Sequence, residues 1–298
     1  MSFAERDGWI WLDGRLVPWR EANVHVLSHA LHYASSVFEG ERAYGGVIFK
    51  LREHSERLKR SALRLGFDIP WSAEQIDEAC RAVVEANRLD HAYLRPIAWR
   101  GSDEMGVSAS RADNVRLAVT AWHWGAYFGE ESAARGIRLE LARWRRPAPD
   151  TAPTDAKASG LYMIATLAKN EAEAKGFDDA LMLDWRGQVA ESTGANAFFV
   201  KDGAIHTPPP DCFLNGITRL TIIDLARERG LQVHERAILP EELAGFDEMF
   251  LTGSAVEVMP VAEAGPWRFA LGPVGRQLRA DYLDLVNGRA RLPESKAA

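Results

Sequence analysis

Lys157 lies among small and apolar residues and is a candidate nucleophile. It is the only charged residue between Asp155 and Lys169, and the apolar stretch 161–165 follows it. A lysine amine is almost fully protonated at neutral pH and is then a poor nucleophile. Burial in an apolar pocket or beside another cation lowers its pKa and frees the amine for Schiff-base chemistry. An isolated lysine is more often a solvated surface residue, so this interpretation depends on what the rest of the chain provides.

Glu191 is a second candidate because it ends an apolar, strand-like stretch and precedes the turn residues 192–194. A carboxylate buried there needs a partner. A pyridinium nitrogen would suit it, because the carboxylate holds the proton on the ring and keeps the ring an electron sink. Taken alone, Glu191 is better explained as a turn residue facing water.

Two glycine-containing turns and one arginine have the character of an anion site. The turn at 216–218 opens a helical pattern that continues to Arg229, and the first amides of a helix are donors at the positive end of its dipole. The turn at 253–255 could donate further amides, and Arg57 could add a fixed positive charge. An ordinary N-terminal cap also explains 216–218. Together these features suit a phosphate monoester better than a dinucleotide, since neither G-x-G-x-x-G nor G-x-x-x-x-G-K-[ST] occurs.

Three histidines near the N-terminus, His25, His29 and His32, are the alternative chemical site. His25 and His29 are spaced for one face of a helix, which is a possible metal geometry. No H-E-x-x-H is formed, and no nearby carboxylate or cysteine completes a ligand set. The sequence therefore predicts no metal. Ser254 is not inside a G-x-S-x-G, so a serine hydrolase has little support.

The bulk properties are those of an ordinary globular protein. The chain has 298 residues, enough for two domains or one large one, and its net charge of -6 argues against a nucleic-acid partner. Cys80 and Cys212 lie far apart and form no disulfide or metal pattern, which suits a reducing cytoplasm. We expect no signal peptide and no membrane span.

The order of elements predicts an α+β first part and a change near residue 124. Strands flank an Asp13-Gly14 turn, a hairpin covers 37–49, and helices at 52–65 and 73–87 precede strands at 92–98 and 115–122. The stretch 124–136, rich in Gly, Ala, Ser and Glu, could be an interdomain connection. Beyond it we predict strands at 137–143, 180–184, 189–193, 197–203 and 250–254, and helices at 161–175, 218–229 and 275–287.

In this order and spacing, several short motifs are specific for one family. They are Ser28-His-Ala-Leu-His-Tyr, Val37-Phe-Glu-Gly, Glu53-His-x-x-Arg-Leu, Tyr93-Leu-Arg-Pro, Met105-Gly-Val, Trp124-Gly-Ala-Tyr, Ala156-Lys-Ala-Ser-Gly-x-Tyr, Glu191-Ser-Thr-Gly-Ala-Asn, Leu214-Asn-Gly-Ile-Thr-Arg and Thr252-Gly-Ser-Ala-Val-Glu. The chain resembles, nearly end to end, the class IV, fold-type IV aminotransferases that use pyridoxal 5'-phosphate, and most closely the branched-chain amino acid aminotransferases.

The resemblance implies a role for each cofactor-binding residue. Lys157 resembles the Schiff-base lysine, which acts both as covalent anchor and as acid/base. Glu191 resembles the partner of the pyridine nitrogen, and Tyr162 the donor to the phenolic oxygen of the ring. Leu214 would lie against the ring face. The phosphate would be bound by Arg57, the amides of Ile217 and Thr218, and Ser254.

The resemblance also implies the substrate pocket and the assembly. Phe38, Tyr93 and Arg95 would line the pocket, with the amides of Ser254 and Ala255 near the substrate α-carboxylate. A neighbouring subunit would lend residues matching Tyr33 and Val107, so we expect at least a homodimer with shared active sites.

The same family fold implies a small N-terminal α+β domain, an interdomain loop and a larger C-terminal domain that binds the cofactor. We place these at 1–123, 124–136 and 137–298.

The implied activity is transamination between leucine, isoleucine or valine and 2-oxoglutarate, in branched-chain amino acid biosynthesis. Arg95 supports it, since it can take the side-chain carboxylate of glutamate. The alternatives are an (R)-selective amine or D-amino acid transaminase, or a lyase that uses the same cofactor. A non-catalytic binding protein on this fold would be expected to lack Lys157 or Glu191, and both are present.

Two positions depart from the family pattern. Ala195 stands where glutamate is common, and Glu41 replaces an apolar residue just after the pocket strand. We consider two explanations for Glu41: it changes substrate choice, or it points to water.

Overall fold

The computed structural model describes residues 2–109, 114–125 and 127–291, which form two compact units. The first unit comprises Met1–Gly125 and Ala156–Leu161, and the second comprises Ala126–Asp155 and Tyr162–Ala298. The segment that carries Lys157 therefore groups with the N-terminal part of the chain, although the sequence analysis placed it in the C-terminal domain.

The first unit is an antiparallel sheet with two long helices. Its elements are β1 (Trp9–Leu12), β2 (Arg15–Pro18), α1 (His29–Tyr33), β3 (Ser36–Phe38), β4 (Glu41–Tyr44), β5 (Val47–Ile48), α2 (Leu51–Arg64), α3 (Ala73–Ala86), β6 (Ala92–Arg100) and β7 (Val115–His123). Within the described residues the strand order is β2-β1-β7-β6-β4-β5, and β3 also pairs with β6.

The two long helices cover one face of this sheet. Leu58 of α2 and Cys80 of α3 are fully buried in one cluster with Leu94 of β6. Because side chains alternate along a strand, Tyr93 and Arg95 lie on the face of β6 opposite to Leu94. That alternation separates the helix-covered core from the face that carries the predicted pocket residues.

The second unit is a larger sheet that closes on itself. Its elements are α4 (Glu130–Arg135), β8 (Ile137–Leu141), α5 (Met163–Ala174), β9 (Asp179–Leu183), β10 (Val189–Ser192), β11 (Asn196–Lys201), β12 (Ala204–Thr207), α6 (Ile217–Glu228), β13 (Val233–Glu235), β14 (Glu248–Gly253), β15 (Glu257–Ala264), β16 (Trp267–Arg268) and α7 (Pro273–Val286). Among described residues the order is β10-β9-β8-β15-β14-β11-β12-β13, and β10 also pairs with β11. This extra pairing brings the start of β11 beside Glu191.

The predicted long helices and the Asp13-Gly14 hairpin are confirmed within about one or two residues. Several elements were not predicted, among them the short helices α1 and α4. Strand β15 was also missed, and it contains Pro260, a residue that normally argues against an inner strand. None of the described helices has the length and apolarity needed to cross a bilayer.

Candidate active site

Lys157 is held by its backbone against β3 and α2 within the first unit. Its N–H donates to the Oγ of Ser61 over 3.0 Å, and its C=O accepts from the N–H of Phe38 over 3.1 Å. The side chain is half-buried, with Nζ 4.8 Å from the centre of the Phe38 ring. The lysine is thus placed over an aromatic face, as a cation–π contact, and is not a fully solvated surface residue.

The three predicted pocket residues of the first unit lie together beside this lysine. The Arg95 guanidinium lies 4.5 Å from the centre of the Phe38 ring, and its Nη2 donates to the Tyr93 hydroxyl over 3.1 Å. Gly40 makes the arrangement possible, because a Cβ at that position would lie 2.0 Å from the Tyr93 Oη. The face therefore combines aromatic surface with one fixed guanidinium.

Arg57, predicted to bind phosphate, belongs to a buried charged cluster with Glu39 and His54. Its Nε donates to Oε1 of Glu39 and its Nη2 to Oε2, both over 2.7 Å. Nδ1 of His54 donates to Glu39 Oε2, also over 2.7 Å. Burial would raise the pKa of Glu39, but the charge and hydrogen bonds of Arg57, together with His54, hold it well below its ordinary value. Sequence reasoning assigned no role to Glu39 or His54.

Glu41 does not point to water, and this part of the sequence interpretation was wrong. The side chain is fully buried on the helix-covered face of β4, paired across the sheet with Leu94. Within the described part of the chain neither carboxyl oxygen has a hydrogen-bond partner. Burial, and then the charges of Glu39 and Asp77, raise the pKa of Glu41 well above its ordinary value, against the opposing charge of Arg57. Glu41 therefore keeps its proton to a higher pH than an exposed glutamate does, and it lies on the face opposite to Tyr93 and Arg95.

Replacing Glu41 by leucine is expected to stabilise the protein by about 1–3 kcal/mol at neutral pH, because it removes an unsatisfied buried polar group. The gain should grow with pH. The folded state keeps the Glu41 proton, whereas the unfolded chain releases it above the ordinary pKa of 4.5. Wild-type stability therefore falls as pH rises above that value, by up to about 1.4 kcal/mol per pH unit, until the folded-state pKa is reached.

Urea unfolding of wild type and Glu41→Leu between pH 5 and pH 8 measures this effect. Glu41→Gln is the matched control, since it removes the titration but keeps a buried polar group. It should flatten the pH dependence without the full gain. Parallel pH profiles for wild type and the leucine variant would contradict a protonated Glu41.

Tyr33 and Val107, predicted to serve a neighbouring subunit, are exposed at 42% and 86%. One residue connects their two segments. The ring of buried His29 contacts the Tyr33 ring at 4.7 Å between centroids, and its Nε2 lies 2.9 Å from the carbonyl oxygen of Gly106. Because that carbonyl only accepts, Nε2 carries a proton. Both ring nitrogens of His29 thus lie within hydrogen-bond distance of protein groups, Ser35 Oγ and the Gly106 carbonyl oxygen.

In the second unit, Glu191 is buried and bound by two donors. Nη2 of Arg146 lies 2.8 Å from its Oε1, and Nδ2 of Asn196 donates to its Oε2 over 3.0 Å. The alternative of a turn glutamate facing water is therefore excluded. Arg146, itself buried, was missed by sequence reasoning, because nothing local marks it among the arginines at 143, 145 and 146.

Asn196 connects Glu191 to the predicted ring-face and phosphate residues. Its Nδ2 also donates to the carbonyl oxygen of Leu214 over 3.0 Å, and its Oδ1 accepts from the N–H of Gly216 over 3.2 Å. A Cβ on Gly216 would lie 2.3 Å from that Oδ1, so glycine is required there. The quoted motif contained Asn196, but sequence reasoning gave it no role.

The two predicted anion-binding turns lie at the start of α6 and at the end of β14. Helix α6 follows Gly216 directly, and glycine has no side chain that could cap the first amides. Thr218 is buried at this end, and Ser254 is half-buried just after β14.

Ala195, which departs from the family pattern, is buried. Its Cβ lies 3.4 Å from where a Cβ added to Gly253 would be. Tyr162 and Leu214 are half-buried.

These donors fit a phosphorylated pyridine cofactor. A buried carboxylate held by Arg146 and Asn196 can hold a proton on a ring nitrogen. A helix that begins at a glycine and a buried guanidinium are both suited to phosphate. Each unit by itself therefore has groups suited to such a cofactor. These are Glu191 and the start of α6 in the second unit, and Lys157 and Arg57 in the first.

Comparison with known proteins places the chain in a family. The sequence profile of amino-transferase class IV matches residues 36–264. The chain belongs to the class IV aminotransferases, and the predicted two-domain, fold-type IV α+β architecture is confirmed.

Three relatives that match along nearly the whole chain carry the same name. The branched-chain-amino-acid aminotransferase of Pseudomonas aeruginosa is 45% identical over 97% of this chain and 96% of its own length. The crystal structure of the Escherichia coli branched-chain amino acid aminotransferase superposes with a TM-score of 0.94 at 38% identity, covering 97% of this chain and 98% of that one. The enzyme of the same name from Thermobaculum terrenum, in its holo-form with pyridoxal 5'-phosphate, gives 0.88 at 32%, covering 96% of each chain.

Proposed function

We propose that this protein is a pyridoxal 5'-phosphate-dependent branched-chain amino acid aminotransferase. It transfers the amino group of leucine, isoleucine or valine to 2-oxoglutarate and gives a branched 2-oxo acid and glutamate. The observation that carries the proposal is the placement of Lys157 Nζ and the Arg95 guanidinium over the same Phe38 ring. A reactive amine, an apolar surface and a carboxylate-binding cation are what this pair of substrates requires.

The cofactor, when bound, supplies an electron sink, which accepts the electron pair of the substrate Cα–H bond when the α-proton is removed. Lys157 Nζ would be the covalent anchor of the cofactor and, once released, the base that takes the substrate α-proton and later returns it as an acid. The carboxylate of Glu191 would hold a proton on the pyridine nitrogen, and Arg146 and Asn196 hold that carboxylate in place. The Tyr162 hydroxyl would donate to the phenolic oxygen of the cofactor, and Leu214 would lie against the ring.

Four groups would bind the cofactor phosphate. They are the Arg57 guanidinium, the amides of Ile217 and Thr218, and Ser254. All of them are donors, and two are the first amides of α6, where the helix dipole favours an anion. The donor set includes a single formal charge, so most of the binding would come from oriented hydrogen bonds.

One pocket must accept an apolar and an acidic side chain in turn. Phe38 and Tyr93 give apolar surface for the branched chain, and Arg95 would pair with the side-chain carboxylate of glutamate or 2-oxoglutarate. The amides of Ser254 and Ala255 would bind the α-carboxylate that both substrates share. Phe38, Tyr93 and Arg95 would thus determine which substrate side chains the pocket accepts.

We also propose a homodimer in the cytoplasm, in which Tyr33 and Val107 of a second copy complete each pocket. The exposure of both side chains supports this, because neither is used inside its own unit's core. The His29 link between their segments would present them together.

A donor and acceptor screen tests the proposal. L-leucine, L-isoleucine and L-valine with 2-oxoglutarate should be the productive pairs, against D-alanine and (R)-1-phenylethylamine with 2-oxoglutarate or pyruvate. Turnover only with the D-amino acid or the (R)-amine would replace the branched-chain assignment with another class IV transaminase.

Replacing Arg95 by leucine is expected to raise the KM for 2-oxoglutarate by about 10-fold or more, because a charge-assisted bond to its side-chain carboxylate is lost. The KM for L-leucine should change little. Initial rates with each substrate varied in turn measure the split. Equal increases in both KM values would show that Arg95 only shapes the pocket.

A further inference from the structure

We propose that Glu39 is a positioning residue that orients the Arg57 guanidinium toward a phosphate group. This inference rests on the proposed function, which assigns Arg57 to the cofactor phosphate. Glu39 lies between β3 and β4, where its own N–H is fixed by the carbonyl oxygen of Pro96 over 2.8 Å. Its carboxylate binds two different nitrogens of Arg57.

The two-point contact determines the direction of the guanidinium. A guanidinium is planar and presents its donors in a fixed fork. Because Glu39 binds the edge formed by Nε and Nη2, each at 2.7 Å, the direction of Nη1 follows from the geometry of the pair. A single hydrogen bond would leave the plane free to rotate. Two hydrogen bonds along one edge hold the Arg57 guanidinium in a single orientation, which a directed contact to a phosphate requires.

Burial strengthens this constraint. The Glu39 side chain is fully buried and that of Arg57 is 10% exposed. His54, also buried, donates to the same carboxylate and so fixes the orientation of Glu39 itself. Burial lowers the pKa of His54, with Glu39 opposing and the charges of Arg57 and Lys157 adding to the effect, so His54 contributes a hydrogen bond and not a second positive charge.

The charge of Glu39 has two opposing consequences for phosphate binding. It partly neutralises Arg57, which weakens attraction for an anion, and it orders a long flexible side chain, which strengthens a directed contact. We expect ordering to dominate, because a guanidinium that lost its counter-charge in this buried position would turn toward solvent. Removal of the Glu39 charge should therefore weaken phosphate binding.

The test compares pyridoxal 5'-phosphate with pyridoxal, which lacks the phosphate. The dissociation constants of both are measured by absorbance titration of the cofactor-free full chain, for wild type and Glu39→Gln. The variant should bind pyridoxal 5'-phosphate about 10-fold or more weakly, and pyridoxal within about twofold of wild type, because only the phosphate contact depends on Arg57.

Glu41→Gln is the matched control, because Glu41 is a buried glutamate two residues further on and no described contact joins it to Arg57 by a hydrogen bond. It should leave both dissociation constants unchanged. A second comparison protects against a folding defect. In an Arg57→Met background, which has no guanidinium at that position, Glu39→Gln should have no further effect on the affinity for pyridoxal 5'-phosphate.

The outcomes separate this inference from the proposed function. Equal weakening of both ligands, no weakening of either, or a full effect of Glu39→Gln in the Arg57→Met background would overturn the role of Glu39 alone. A wild-type chain that binds pyridoxal 5'-phosphate no more tightly than pyridoxal would overturn both that role and the assignment of Arg57.

Discussion

Replacing Lys157 by alanine is expected to remove the visible absorbance of the cofactor-loaded protein and to lower turnover by at least about 10⁴-fold. That factor is at the upper end for a general acid/base, and Lys157 is also the proposed covalent anchor. Its amine lies 4.8 Å from the centre of the Phe38 ring, which the Arg95 guanidinium also contacts. Absorbance spectra and single-turnover rates with L-leucine measure both effects.

Lys169→Ala is the matched control for this variant. Lys169 is also half-buried and lies over aromatic rings, 5.2 Å from the centre of Phe128, but its Nζ donates to the carbonyl oxygen of Asp178. Its replacement should keep the absorbance band and the turnover. A Lys157→Ala protein that retained either property would remove Lys157 from the mechanism.

Replacing Glu191 by glutamine should have the second largest effect, a loss of turnover on the order of 10²–10³-fold, as for removal of one preorganised electrostatic group. A neutral amide cannot hold the proton on the pyridine nitrogen. The same change leaves buried Arg146 without its counter-charge, which should destabilise the protein by about 3–5 kcal/mol. Turnover and urea unfolding are therefore measured together.

Two further variants separate the chemical loss from the loss of stability. Glu191→Gln combined with Arg146→Met removes the buried charge as well, so it should recover much of the stability and none of the turnover. Glu248→Gln alters another buried carboxylate, which accepts from the N–H groups of Val274 and Gly275 at the start of α7. It should cost stability and leave turnover intact. Turnover that recovers with stability in the double variant would contradict the role of Glu191.

Local elements could be predicted because their signals are local. Helices α2, α3, α6 and α7 show apolar residues at helical spacing, and the Asp13-Gly14 turn specifies a hairpin by its own conformational preference. β15 was missed because Pro260 interrupts the pattern of an inner strand. Its ring nitrogen is tolerated because the pairing with β8 begins only at Val261.

The contacts that support the site could not be predicted from the sequence. Glu39 and Arg57 are 18 positions apart, and their pairing depends on the path of the chain through β4 and β5, which lie between them. Asn196 contacts Glu191 only because β10 pairs with β11. Each of these depends on strand register, which the sequence constrains only through which face is apolar.

The burial of Glu41 also could not be predicted from the sequence. Alternation along β4 places Glu41 and Arg42 on opposite faces, but it does not tell which face the helices cover. A charged residue favours the solvent face on average, and here it lies in the core. The site residues themselves came from the family resemblance, and their roles stay predictions until variants are measured.

The most direct test of the central claim is a pair of half-reactions on the wild-type protein loaded with pyridoxal 5'-phosphate. L-leucine alone should convert the cofactor absorbance completely and release one branched 2-oxo acid per chain. Added 2-oxoglutarate should then restore the original spectrum and release one glutamate per chain, because the amino group stays bound to the enzyme between the two half-reactions. A spectrum that L-leucine leaves unchanged, or that 2-oxoglutarate fails to restore, would contradict the account.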